Sequence, residues 1–170
     1  AAGLNPNQEG AYRVCGSPVT SEGMVFATSR KKPIVALKAG GRGDISTSHL
    51  AWTYDGTGGP DVPSAVTDGT YFYMVDDRGL VSCLDARTGE KVWGPERTAQ
   101  GTVSASLVLA DGKLYMINEN AVTTVVNAGP TYKMHATNEL DGSYTLSSPA
   151  VSGNSIFIRT GERLYRIATK

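Results

Sequence analysis

Short apolar runs alternate with polar, glycine-bearing turns along the whole chain, and the alternation comes round four times. Met24 to Ala27, Tyr71 to Val75, Leu114 to Ile117 and Ile156 to Ile158 each follow a turn of one kind: Ser17-Pro18-Val19-Thr20-Ser21-Glu22-Gly23, Ser64-Ala65-Val66-Thr67-Asp68-Gly69, Ser106-Leu107-Val108-Leu109-Ala110-Asp111-Gly112 and Ser148-Pro149-Ala150-Val151-Ser152-Gly153. Gly23, Gly69, Gly112 and Gly153 recur at intervals of 46, 43 and 41 residues, inside the range of roughly 40–50 that marks propeller blades. Runs this short, bounded by Asp-Gly and Thr-Gly turns, predict strands joined in hairpins. The second copy is the most legible. It predicts strands over Pro63 to Thr67, Thr70 to Val75, Leu80 to Leu84 and Glu90 to Trp93, with turns at Asp68-Gly69, Asp76-Asp77-Arg78-Gly79 and Asp85-Ala86-Arg87-Thr88-Gly89.

A lone four-stranded meander with apolar residues on both faces is not stable in water, so neighbouring copies must cover those faces. Residue size argues for a radial stack. Ser, Ala, Pro and Val dominate the first strand of each copy, where a crowded centre admits only small side chains, while Trp52 and Trp93 fall in the last strand, where wedge-shaped blades diverge. The first copy has a longer third turn, Gly40-Gly41-Arg42-Gly43-Asp44. The third predicts strands over Lys113 to Ile117, Val122 to Val126 and Tyr132 to Ala136, and the fourth over Ser148 to Val151, Ser155 to Arg159 and Arg163 to Ala168, with no outermost strand. The expected fold is all-β: a β-propeller segment of about four blades, each a four-stranded antiparallel meander, the last lacking its outer strand. Its expected divisions are an N-terminal segment 1–16 and blades 17–60, 61–102, 103–146 and 147–170.

Sixteen basic and sixteen acidic residues leave no net charge, which removes the long-range attraction that nucleic acid or an anionic membrane would exploit. No apolar stretch is long enough to span a bilayer as a helix. Cys15 and Cys83 sit in different repeats with nothing in their spacing to pair them. The opening, Ala1 to Asn7, reads as a loop cut from a longer chain.

Leu84-Asp85-Ala86-Arg87-Thr88-Gly89-Glu90-Lys91-Val92-Trp93 resembles the signature of pyrroloquinoline-quinone-like (PQQ-like) propeller repeats, and Ser148-Pro149-Ala150-Val151 followed by a Gly153 turn and an apolar strand is similar to the same family. The resemblance covers nearly everything after Gly16 and implies the C-terminal half of a seven- or eight-bladed propeller. Asp85, Thr88, Gly89, Trp93, Trp52 and the turn glycines Gly23, Gly69, Gly112 and Gly153 are the structural signature it picks out. In such rings a missing strand is commonly supplied from the other end of the chain, and Ala11-Tyr12-Arg13-Val14-Cys15 is the candidate here. The resemblance also implies a periplasmic, cell-envelope or secreted location.

Nothing catalytic rides on the repeat. Quinone-holding relatives add a calcium site of Glu, Asn and Asp, a catalytic Asp and, in some, adjacent cysteines, which this chain lacks. Asn118-Glu119-Asn120 and Asp76-Asp77 are the oxygen-rich clusters, but hard cations take six or more oxygens, and both read as hairpin turns. His49 and His135 have no partner at ligand spacing. No serine sits in a Gly-x-Ser-x-Gly elbow, Arg42-Gly43-Asp44 reads as a glycine-rich turn, and Asp55 to Pro60 reads as a linker with no phosphate-pairing Lys. The turns Arg30-Lys31-Lys32, Asp76-Asp77-Arg78, Asn118-Glu119-Asn120 and Arg159 with Glu162-Arg163 are expected on one disc face. The expected role is a non-catalytic scaffold or protein-interaction module, with a protein partner at the loop faces and no cofactor. One alternative is half of a quinoprotein-type oxidoreductase, with PQQ and calcium held by blades outside this chain. Another is a polysaccharide-binding propeller using Tyr54 and Tyr144. An open ring bares a sheet face at each end, so self-association is expected.

Overall fold

Four antiparallel sheets follow one another in chain order, each a simple meander. The computed structural model describes residues 14–30, 33–56 and 59–168, which contain no α-helix. Blade 1 holds β1 (Val19–Ser21), β2 (Met24–Ala27), β3 (Ile34–Lys38) and β4 (Leu50–Tyr54). Blade 2 holds β5 (Val66–Thr67), β6 (Tyr71–Val75), β7 (Leu80–Asp85) and β8 (Lys91–Arg97). Blade 3 holds β9 (Val108–Ala110), β10 (Lys113–Ile117), β11 (Val122–Asn127) and β12 (Met134–Glu139). Blade 4 has three strands, β13 (Ala150–Ser152), β14 (Ser155–Arg159) and β15 (Leu164–Ala168).

The innermost strands are shorter than the sequence predicts. Pro63 has no N–H to give a ladder, and the amide of Ser64 is directed at a neighbouring blade, so pairing begins only at Val66. The outer strands begin later than expected and run further, to Arg97 and Glu139. Exposed side chains there carry no hydropathy signal; backbone pairing alone defines them, as between Leu80 and Arg97 and between Val81 and Glu96.

Residues directly opposed in a ladder point to the same sheet face, so the register gives each blade two rows. On the face toward the following blade stand Phe26–Ala36–Trp52, Tyr73–Cys83–Trp93 and Tyr115–Val125–Ala136. On the face toward the preceding blade stand Phe72–Leu84, Leu114–Val126 and Ile156–Ile167. The first row of blade 1 and the second row of blade 2 form one buried cluster, with Phe26 and Phe72 stacked at 5.1 Å between ring centroids. The next pair of rows forms another. The junction between blades 3 and 4 is leaner: among the described residues its fully buried apolar cluster is Ala105, Ile117 and Ile158, and Ala136 stands where the other two junctions have Trp52 and Trp93. At about 1.5–3 kcal/mol for each large apolar side chain removed from water, blade 4 is the least firmly held.

Candidate interaction surface

Two sets of hydrogen bonds between blades frame the loops, the first at the inner rim. The backbone N–H of Ser17 donates to Ser64 Oγ at 2.9 Å, that of Ser64 to Ser106 Oγ at 3.0 Å, and that of Ser106 to Ser148 Oγ at 2.9 Å. The serine that opens each repeat therefore links its blade to the next. Sequence reading found the recurrence but not this use of it.

At the outer rim each tryptophan reaches across to the next blade. Trp52 Nε1 donates to the Ala86 carbonyl at 2.9 Å and Trp93 Nε1 to the Gly129 carbonyl at 2.8 Å. Gly129 is gripped twice, since its N–H donates to Tyr73 Oη at 2.7 Å while the Tyr73 hydroxyl donates to Asp68 Oδ2 at 2.8 Å. Burial, the bond to Asp68 and that carboxylate's charge hold the Tyr73 phenol protonated far above its ordinary range. Cys83, buried beside it, is pushed up to about 12, chiefly by desolvation. Asp85 shapes the turn beneath Trp52: its Oδ1 accepts the N–H groups of Thr88 and Arg87, and the bond from Thr88 holds the carboxyl below its usual value. Thr88 Oγ1 accepts from Glu90 N–H and closes the turn. Gly23, Gly69, Gly112 and Gly153 all have positive φ in the β1–β2, β5–β6, β9–β10 and β13–β14 turns, a region that disfavours other residues.

One disc face carries the second turn of each blade. There the oxygen-rich residues are engaged within the protein, Asp76 and Asn118 by their own hairpins. Asp76 Oδ1 accepts from the N–H groups of Arg78 and Leu80, and its Oδ2 pairs with Arg78 at 2.6 Å. Asn118 repeats the pattern with Asn120 and Val122. Asp77 takes the amides of Asp61 and Val62, and Glu119 takes the Ser104 hydroxyl. A cation would have to displace these donors, so the clusters do not fit a calcium ion. Among the described residues no three His, Cys, Asp or Glu side chains converge at metal-binding distance. Arg30 lies 3.8 Å from Asp61; Lys31 and Lys32 lie outside the described residues, as do residues 11–13 of the candidate closing strand.

Other singled-out residues are local. Ser48 Oγ lies 2.8 Å from His49 Nδ1, His135 pairs with Asn127, and Asp44 accepts the Ser46 N–H and hydroxyl within the Arg42-Gly43-Asp44 turn. Cys15 is exposed and Cys83 buried, both unpaired with each other. Tyr54 packs half-buried against the junction of blades 1 and 2, whereas Tyr144 is exposed. The two rings do not form a shared platform.

The opposite face carries two equivalent clefts. One, about 550 Å³, lies between blades 1 and 2 and is lined by Glu22, Phe26, Leu50 and Arg87 among others; its counterpart between blades 3 and 4, about 530 Å³, is lined by Asp111, Tyr115, Val151 and Ile167. Leu50, Val151 and Ile167 are 41%, 45% and 47% exposed at these rims, so the clefts pair apolar walls with charged edges. Among the described residues no helix is long and apolar enough to cross a membrane.

The family described as "Outer membrane protein assembly factor BamB" matches residues 7–170. No curated protein matches the sequence. Among solved structures, the computationally designed Ika4 protein superposes with a TM-score of 0.72 at 13% identity, over 96% of this chain and 95% of that one. BamB from Moraxella catarrhalis gives 0.65 at 12% identity over 89% of this chain and 41% of that one. Quinohemoprotein alcohol dehydrogenase ADHIIG from Pseudomonas putida HK5 gives 0.66 at 17% identity over 86% and 28%. This chain thus spans less than half the length of either natural neighbour.

Proposed function

The chain belongs to the PQQ-like propeller-repeat family of the assembly factor BamB, and from that membership we propose that it is a non-catalytic β-propeller module that binds protein in the cell envelope. The observation that carries the reading is the contrast between the two disc faces. On one, Asp76 and Asn118 are engaged by amides of their own hairpins and Asp77 by the linker amides of Asp61 and Val62. On the other, clefts with exposed aliphatic rims and charged edges offer what a polypeptide partner needs, apolar area to bury and charges to set orientation. The partner class follows the family: a component of outer-membrane protein assembly.

A photo-crosslinking residue at Arg87, in the cleft between blades 1 and 2, and a second at Arg78, on the opposite face, test this in envelope preparations containing that machinery. The reading expects an adduct with a defined protein component from position 87 and none from position 78. Equal labelling at both, or none at 87, would overturn it. A PQQ and calcium site on these blades themselves would give a saturable absorbance change when both are added to this chain; the interaction reading expects a linear, unsaturated response.

A further inference from the structure

The two clefts are alike in place and size and differ in charge. At the base of the three rows that face a following blade stand Met24–Lys38, Tyr71–Asp85 and Lys113–Asn127. At the middle junction the Tyr71 ring packs against Tyr73, 6.2 Å between centroids, with Asp85 opposite it in the ladder. At the first junction the same place holds Met24 and Lys38, which line the cleft of about 550 Å³. That volume suits a small molecule or a few side chains. Its apolar wall is Met24, Phe26 and Leu50, and its cations are Lys38 from blade 1 and Arg87 from blade 2, both exposed.

Among the described residues neither cation forms an ion pair. Arg87 acts on Asp85 only through its longer-range charge, and the carboxylates close by are committed elsewhere. Asp85 Oδ1 accepts the Arg87 and Thr88 amides. Asp68, next to Gly69 at the cleft edge, accepts the Thr70 and Tyr71 amides and the Tyr73 hydroxyl. Glu22 is the carboxylate that lines the cleft, and it lies over Gly69, its Oε1 3.9 Å from a Cβ built there. The rim therefore carries an excess of positive charge. The counterpart cleft does not: Asp111, paired with Lys113, lines it and, among the described residues, no Lys or Arg does.

We propose that the cleft between blades 1 and 2 binds an acidic, apolar segment of a partner polypeptide, with a large apolar side chain seated on Met24, Phe26 and Leu50 and flanking carboxylates meeting Lys38 and Arg87. The inference rests on the reading that this face binds protein, and adds the chemistry it selects. Apolar area supplies the attachment, while the charges choose between partners and set direction. The two cations come from different blades, so a segment that engages both crosses the junction. A basic segment would meet two like charges there. The counterpart cleft offers an acidic segment apolar area and Asp111 but no cation, which makes it a control within the same molecule.

Amide chemical shifts of the isotope-labelled chain, titrated to about 10 mM with acetyl-Glu-Leu-Phe-Glu-amide or acetyl-Lys-Leu-Phe-Lys-amide, decide it. The acidic peptide should shift Lys38, Ala51 and Arg87 saturably, leave Gly153 and Ile167 in place, and bind about tenfold more tightly than the basic one. Lys38→Gln and Arg87→Gln should each weaken the acidic peptide about threefold, and together about tenfold. Glu22→Gln should tighten it about twofold, a gain that misfolding cannot produce. Raising salt to about 0.5 M should narrow the difference between the peptides. No saturable response to the acidic peptide, equal affinity for both peptides, equal shifts at the two clefts, or indifference to the three substitutions would each overturn the proposal. If position 87 still gives its protein adduct in that event, protein binding stands and only the acidic segment falls; if the adduct is absent too, both readings fall.

Discussion

Trp52 lies flat against Gly89 of the next blade: a Cβ built on Gly89 would come within 2.6 Å of Trp52 Cδ2. Gly89 also has φ of 75°, so the position needs glycine for backbone freedom and for room. Gly89→Ala combines left-handed strain with overpacking against a ring that is itself only 6% exposed, and should lower the unfolding free energy by roughly 2–4 kcal/mol. Urea denaturation followed by Trp fluorescence checks this. A loss under about 0.5 kcal/mol would mean the ring moves aside without cost.

Ser106→Ala should orphan the half-buried amide of Ser64, and Ser64→Ala the exposed amide of Ser17. The first should cost about 1–2 kcal/mol and the second less, because water replaces the lost acceptor at the exposed site. Denaturation of the two single variants gives the order directly; the reverse order would remove the ladder from the account of blade packing.

Thiol labelling at pH 8 in native buffer should modify Cys15 at once and leave Cys83 untouched. Cys83 is fully buried beside Tyr73 and Trp93, and desolvation keeps it a thiol there. Its labelling rate should rise with denaturant in step with unfolding of the junction between blades 2 and 3. Rapid native modification of both thiols would contradict that packing.

Asp141 fastens the linker ahead of blade 4. Its carboxylate accepts the Thr160 and Tyr165 hydroxyls together with the Ser143 N–H and hydroxyl. These bonds, led by that from Thr160, bring its pKa to about 2. A depressed carboxyl contributes stability that is present above its unfolded value of about 4 and is lost as pH falls through the folded value. The protection factors of the β13–β15 amides, measured against intrinsic exchange at the same pH, should therefore fall between pH 4 and 2 in the wild type, and be lower already at pH 6 in Asp141→Ala. Unchanged protection in that variant would refute the role.

Tyr73→Phe should separate the two grips on Gly129. Losing the hydroxyl leaves the Gly129 N–H without its acceptor and costs about 1–3 kcal/mol, while Trp93 Nε1 keeps the Gly129 carbonyl. Exchange should quicken at Gly129 N–H more than at the amides of β10. Uniform acceleration would point to general loosening of the junction.

Turn glycines, apolar runs and the Asp85 to Trp93 signature were legible because they are local: a Gly-bearing hairpin or a short apolar strand declares itself within a few residues. The turn reading of Asp76 and Asn118 followed for the same reason, since both side chains bond amides two and four residues on. The environment of Tyr54 was not legible, because its position at the end of β4 does not say whether the ring faces solvent or, as the chain folds, the first junction.

By itself the sequence determined the number of blades, the meander within each, the missing outer strand of the fourth, and the residues that need positive φ or a large ring. Only the tertiary structure decided which residues meet between blades. The serine rungs join residues 47, 42 and 42 positions apart, Trp93 finds Gly129 rather than the position matching Ala86, and the rows of Phe26 and Tyr73 meet aliphatic pairs set by register. Those contacts depend on how far one twisted sheet turns relative to the next, and periodicity along a chain carries no measure of that angle.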